Sequence, residues 1–217
     1  MTDAFIDWAN DLFTTEDERI YGVLIGTVKD NMDLTGLGRV QVTLSALADM
    51  EPWARVAAPF AGSDYGHWSL PQVGDEVLVA FERGDPRHPY VIGSLWSMDS
   101  RPPADLPTDA TDKRIVKTPK GHVIELDDLQ QSITITTTTG QEIALSPGEI
   151  AVKAGDGAAT ITLKTDGSIS IKGSTEIKLS APKIAISADG ELDLSGATTS
   201  LSASGACTIK GATVAIN

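Results

Sequence analysis

From residue 124 to residue 216 a pair of aliphatic side chains separated by one residue returns every seven to eleven positions. The series runs through Ile124/Leu126, Ile133/Ile135, Ile143/Leu145, Ile150/Val152, Ile161/Leu163, Ile169/Ile171, Ile177/Leu179, Ile184/Ile186 and Leu192/Leu194. It continues, with Thr and Cys substituting at two positions, through Thr199/Leu201, Cys207/Ile209 and Val214/Ile216. Spacing of i and i+2 puts both members of a pair on one face of a strand. A turn-forming residue stands in nearly every gap, among them Gly140, Pro147, Gly167, Pro182, Gly196 and Gly211. Ser, Thr, Lys, Asp and Ala fill the other positions, so only one face is apolar. The pattern predicts a repeat of short strands.

Energetics restrict what such a repeat can be. Short strands with one apolar face and no helices to cover it bury too little surface within one chain to offset the entropy of ordering it. Three chains wound into a triangular prism would bury each doublet against two equivalents and leave no open sheet edge along the shaft. A single-chain β-helix of stacked coils is the alternative, and it needs end caps that the sequence does not show. The expectation is the intertwined trimer, a needle about 55–60 Å long at roughly 4.8 Å per strand step.

Upstream the period changes. Residues 21–97 alternate over strands of ordinary length, predicted near 21–29, 38–44, 54–58, 75–82 and 89–95. Turn signals lie at Asp30-Asn31, Gly36-Leu37-Gly38, Gly62-Ser63-Asp64 and Gly84-Asp85-Pro86. Five short antiparallel strands in that length predict a small Greek-key barrel of the OB type. Residues 98–114, with Pro102, Pro103 and Pro107, read as a stiff linker, and 115–217 as the spike. Before the barrel, residues 1–20 comprise an acidic link and a segment, 3–14, whose Phe5, Ile6, Ala9, Leu12 and Phe13 recur at helical spacing. A free helix of that length is marginal in water, so it is expected to dock on its own barrel or on a partner.

Composition narrows the class. The chain is 41% hydrophobic but only 5% aromatic, and its net charge of −13 is concentrated in residues 1–97, which carry 6 basic and 15 acidic side chains. That balance argues against nucleic acid and anionic membranes as partners, since phosphate neutralisation needs an excess of Lys and Arg. One cysteine, Cys207, rules out an intrachain disulfide framework and reads as a small inward residue. The N-terminus lacks the basic and apolar regions of a signal peptide, so synthesis in the cytoplasm is expected.

The blocks Tyr21–Val28, Gly38–Val42, Trp53–Val56, Leu70–Pro86 and Pro89–Leu95, followed by Lys120-Gly121-His122-Val123-Ile124-Glu125-Leu126-Asp127-Asp128, resemble in order and spacing the OB domain and β-helix entry of phage baseplate assembly protein V and the VgrG spikes of type VI secretion. The resemblance covers most of residues 20–217. It implies an all-β protein with an N-terminal OB barrel and an intertwined trimeric β-helix, acting as the central spike of a contractile injection machine. Such a spike plugs the tube, joins a baseplate hub and pierces the target envelope. Homotrimer, hub protein and a PAAR-type tip protein are the partners expected, the last at Val214, Ala215, Ile216 and Asn217. The location expected is a phage tail baseplate or a related contractile particle. Some relatives carry a lysozyme domain between barrel and needle, where this chain has only linker. Some short spikes end in an iron-binding His-x-His motif, whereas the histidines here are His67, His88 and His122.

Candidate chemistry is sparse. Glu125, Asp127 and Asp128 cluster at the base of the needle and invite comparison with a paired-carboxylate site, but a solvated strand end accounts for them. Asp30, Asn31 and Asp33 lack the Gly and distal Glu of a calcium loop and read as a turn. His67 and His88 have no nucleophile at a recognisable spacing. Neither catalytic residues nor a cofactor or metal are expected. The alternative is a β-helical tail-spike enzyme acting on cell-surface polysaccharide, which would need an aromatic and acidic groove on the shaft. No Trp, Tyr or Phe follows Trp96.

Overall fold

The computed structural model describes residues 19–215. The helix expected over residues 3–14 and the last two positions, Ile216 and Asn217, lie outside them.

Five strands close a barrel: β1 (Leu24–Asp30), β2 (Arg39–Thr43), β3 (Trp53–Val56), β6 (Glu76–Phe81) and β7 (Pro89–Leu95), in the order β1-β2-β3-β7-β6. A two-stranded hairpin, β4 (Ala61–Gly62) and β5 (Tyr65–Gly66), interrupts the sequence between β3 and β6. All neighbours are antiparallel except β3 and β7, which pair in parallel through Arg55↔Tyr90 and Val56↔Val91. This is the five-stranded Greek-key barrel of the OB fold. Strict alternation makes the core: Val40 and Val42 on β2 and Val77, Val79 and Phe81 on β6 point inward, with Val28, Leu44, Ala54 and Val91 beside them. Closing so small a barrel requires sharp bends, and the register slips at Val28/Asp30 and at Leu78/Val79 provide them. Gly26 lies where β1 presses on β2, since a Cβ there would sit 3.0 Å from Leu44 Cδ2.

The β1–β2 loop is tied by one carboxylate. Asp33 accepts hydrogen bonds from Thr35 Oγ1 at 2.6 Å, Arg39 Nε at 3.0 Å and Arg39 Nη2 at 3.2 Å. The Arg39 guanidinium, and after it the Thr35 hydroxyl, hold the Asp33 carboxyl well below the usual carboxylate range. This segment is therefore a turn closed by its own arginine. A carboxyl whose pKa falls on folding stabilises the fold above its unfolded value and loses that contribution as pH falls toward the folded one. Asp33→Asn is accordingly expected to lower the melting temperature by about 2–4 °C at neutral pH. The gap to wild type should narrow as pH drops below about 4, the ordinary carboxylate range. Thermal melts across that range check both halves.

Seven further strands follow: β8 (Lys113–Lys117), β9 (Val123–Asp127), β10 (Ser132–Thr136), β11 (Glu142–Leu145), β12 (Glu149–Ala154), β13 (Ala159–Lys164) and β14 (Ile169–Gly173). They form one antiparallel sheet in simple sequence order. The all-β expectation holds, but the pairing differs in detail. The first six doublets form a ladder within one chain rather than with neighbouring chains from the outset. Tight reversals make this possible: Gln131 and Asp156, flanked by Gly155 and Gly157, take the left-handed backbone that short hairpins need. A meander is also incompatible, over these residues, with the stacked coils of a single-chain β-helix. No strand follows Gly173 among the described residues.

Candidate functional site

Strand register turns the doublets into two straight columns. Ile124 faces Ile135, which faces Ile143, then Val152, Ile161 and Ile171. Leu126 faces Ile133, then Leu145, Ile150, Leu163 and Ile169. Cross-strand pairs of branched aliphatics stabilise a sheet, and here every rung carries two. Yet the columns are covered only from the side. From Ile124 to Leu163 their exposure stays between 38 and 44%, and Ile171 at the end of the sheet reaches 56%. An apolar face of six strands left open in a lone protomer marks an association surface.

The other face is polar and cross-braced. Glu142 and Lys153 stand directly opposite, their side chains 2.7 Å apart, and the carboxylate raises the lysine's pKa. Thr134, Thr136, Thr160, Thr162, Ser170 and Lys172 continue the polar face. Asp127, one of the three clustered carboxylates, is buried here and accepts from the Gln130 backbone N–H at 2.8 Å. Lys113 Nζ lies 3.2 Å from Glu125, 3.8 Å from Asp127 and 3.8 Å from Asp109, so a single ammonium joins the end of the linker to β8 and β9. Asp128 donates its backbone N–H to Asp112 O at 2.8 Å. These acids are thus structural partners at the base of the sheet. His88 lies 3.4 Å from Asp85, whose carboxylate is bound chiefly by Arg87, and the His67 backbone N–H donates to Phe60 O at 3.0 Å. No group of three or more metal-ligating side chains forms among the described residues.

β8 escaped the doublet pattern. Val116 opposes Ile124 and Arg114 opposes Leu126, so this strand belongs to the same face with an arginine in one column. Only one of its two column positions is aliphatic, so β8 carries no doublet. Beyond Gly173 the doublet residues Ile177, Leu179, Ile184, Ile186, Leu192, Leu194, Leu201, Ile209 and Val214 are all exposed, and Cys207 with them. Among the described residues this stretch has no ladder partner in its own chain, the last backbone tie being Ser174 N–H to Ala158 O.

Two family descriptions match in the order of the two sheets. Residues 24–96 match the type VI secretion system/phage-baseplate injector OB domain, and residues 113–176 match the phage baseplate V C-terminal trimerisation domain. The chain belongs to the phage baseplate V family. The second match covers the open-faced sheet and ends where the intrachain ladder ends, so the family's trimerisation region and the uncovered apolar columns coincide. Among curated proteins the chain is similar to the type VI secretion system spike protein VgrG5 of Pseudomonas aeruginosa, 36% identical over 95 residues, which is 41% of this chain and 12% of that protein. It is also similar to the spike protein VgrG3 of Vibrio cholerae, 32% identical over 108 residues, or 47% of this chain and 10% of that protein. The Vibrio cholerae actin cross-linking toxin VgrG1 is 39% identical over 66 residues, 30% of this chain and 6% of the toxin. The chain therefore spans about a tenth of the length of the curated relatives it matches.

Proposed function

We propose that this baseplate V protein is the central spike of a contractile injection machine, a homotrimer that joins a baseplate hub and pierces the target envelope by mechanical thrust. The reading is carried by one observation: two unbroken aliphatic columns lie open on each protomer and are followed by doublets with no ladder partner in their own chain. Three such sheets packed column to column make a triangular prism. The doublets from Ile177 onward then find their hydrogen-bond partners in the other two chains. A shaft transmits thrust only if it neither buckles nor unwinds, and strands interleaved from three chains separate only when all three come apart. No reaction is needed for this work.

The barrels carry the hub contact in this proposal, and the spike core is formed by the sixteen doublet residues from Ile124 to Leu194 named above without Ile150 and Val152, which extend the same columns. A PAAR-type tip protein is proposed to bind the Val214–Asn217 end, where Val214 is half exposed in the protomer. The test is an assembled particle carrying either the full chain or one cut after Gly211. A threefold shaft at the end of the tube is expected with both. A capping protein recovered with the full chain, and lost on truncation, is expected at the tip. A particle whose tube ends without this chain contradicts the spike assignment, and equal recovery of the cap with both chains contradicts the tip contact.

A further inference from the structure

A cleft of about 420 Å³ opens on the outer face of the barrel where β2, β3 and β7 adjoin, lined by Leu37, Arg39, Trp53, Arg55, His88 and Tyr90 among others. Its size is that of a binding pocket rather than a packing defect. Arginine and aromatic residues alternate across it. The Arg39 guanidinium lies 5.8 Å from the Trp53 ring centroid, and that of Arg55 lies 5.5 Å from the Tyr90 ring centroid. Arg39 is fixed from behind by Asp33. Arg55 has no carboxylate partner among the described residues, and no acidic side chain lines the cleft. Arg87, also in the lining, is bound by Asp85, and the Tyr90 hydroxyl donates to Glu82 at 2.7 Å, so Arg55 carries the cleft's uncompensated charge among the described residues. An exposed guanidinium stacked on a tyrosine and offered to an apolar cleft suits a peptide that carries both carboxylates and large apolar side chains.

Such a peptide is already attached. Residues 1–18 contain Asp3, Asp7, Asp11, Glu16, Asp17 and Glu18 with no Lys or Arg, together with Phe5, Ile6, Trp8, Leu12 and Phe13. The described chain begins against the β6–β7 turn. Ile20 donates its N–H to Gly84 O at 2.8 Å, and Arg19 Nη1 reaches Arg83 O at 3.4 Å. Both contacts are on the β6–β7 turn whose far end, at His88 and Tyr90, forms one wall of the cleft. Reach is no obstacle, since even at about 1.5 Å per residue eighteen residues extend roughly 27 Å. We infer that residues 1–18 of the same chain occupy the Arg39–Trp53–Arg55–Tyr90 cleft through their carboxylates and apolar side chains. Covalent attachment favours this occupant over any foreign acidic segment, because a tether of this length holds the ligand at an effective concentration in the millimolar range.

Hydrogen–deuterium exchange of the full-length protein tests the inference. Peptides covering residues 1–18 and Trp53–Arg55 should be protected in the wild type. In Arg55→Glu the N-terminal peptides should exchange about tenfold faster, while β1, β2 and β9–β13 keep their rates. Replacing Glu16, Asp17 and Glu18 by Lys in the Arg55→Glu background should restore protection, because the charges are then complementary again. Should Arg55→Glu disturb the barrel peptides as well, Arg55→Gln replaces it and should show a smaller acceleration confined to the N-terminus. N-terminal peptides that exchange freely in the wild type overturn the inference. So do peptides whose protection is indifferent to Arg55 and to the charge swap, or that become protected only when a hub protein is added.

Discussion

Ile171→Asp should yield a soluble chain with a folded barrel that does not assemble, whereas Lys172→Asp, one residue on, should assemble like wild type. The contrast rests on where the two side chains point. In the protomer Ile171 is 56% exposed, so a carboxylate there meets water and leaves the chain's own sheet standing. In the assembled shaft the same position closes one of the aliphatic columns, and three carboxylates would be forced together in an apolar interior. Each uncompensated charge costs several kcal/mol, on the order of 10 kcal/mol per trimer, which is enough to abolish association at micromolar concentration. Lys172 opposes Thr160 on the polar face, where charge reversal stays solvated and is worth well under about 1 kcal/mol. Sedimentation of the two variants checks the assignment. Equal loss of assembly by both would mean that the two faces of the sheet have been exchanged.

A second large effect is expected from removing residues 174–217. The barrel closes on itself and the strands of the β8–β14 meander pair within the chain, so the shortened chain should still show β signal. What it loses is the stretch whose doublets have no partner in their own chain, and with it the interleaving of three chains. Unfolding of the intact shaft requires all three strands of a layer to part together, and interactions of that kind slow unfolding far more than they speed folding. Truncation is therefore expected to raise the unfolding rate in denaturant by at least about a hundredfold and to make a detergent-resistant oligomer detergent-sensitive. An unchanged unfolding rate would place the kinetic stability in the meander instead.

The sequence was most readable where one period dominates. Alternation located the five barrel strands within a few residues, most clearly on β2, where the inward Val40 and Val42 are flanked by Arg39, Gln41 and Thr43. The doublet spacing likewise identified the face that carries Ile124 through Ile171, since i and i+2 must share a side of a strand. Partner choice was harder. Nothing in the spacing of Ile143/Leu145 and Ile150/Val152 distinguishes a hairpin within the chain from neighbouring strands of different chains. That choice rests on the backbone of the reversals, such as the left-handed Gln131, whose residue type does not signal it. Arg114 concealed β8 for a related reason, a charged residue in an otherwise aliphatic column. The cleft on the barrel was invisible in one dimension because Arg39, Trp53, Arg55 and Tyr90 come from three strands, two of them joined by the parallel pairing of Arg55 with Tyr90. The clustered acids Glu125 and Asp127 look chemical in sequence, and only the position of Lys113 shows that they brace the base of the sheet.

The measurement that bears most directly on the account is the mass of the full-length protein in solution by light scattering, followed down a dilution series. Three times the chain mass of 22.8 kDa, constant on dilution, is the predicted result, because the proposed shaft completes the open columns and the doublets beyond Gly173 with two further copies. A monodisperse particle of one chain mass, with full β signal and no tendency to associate, would contradict it.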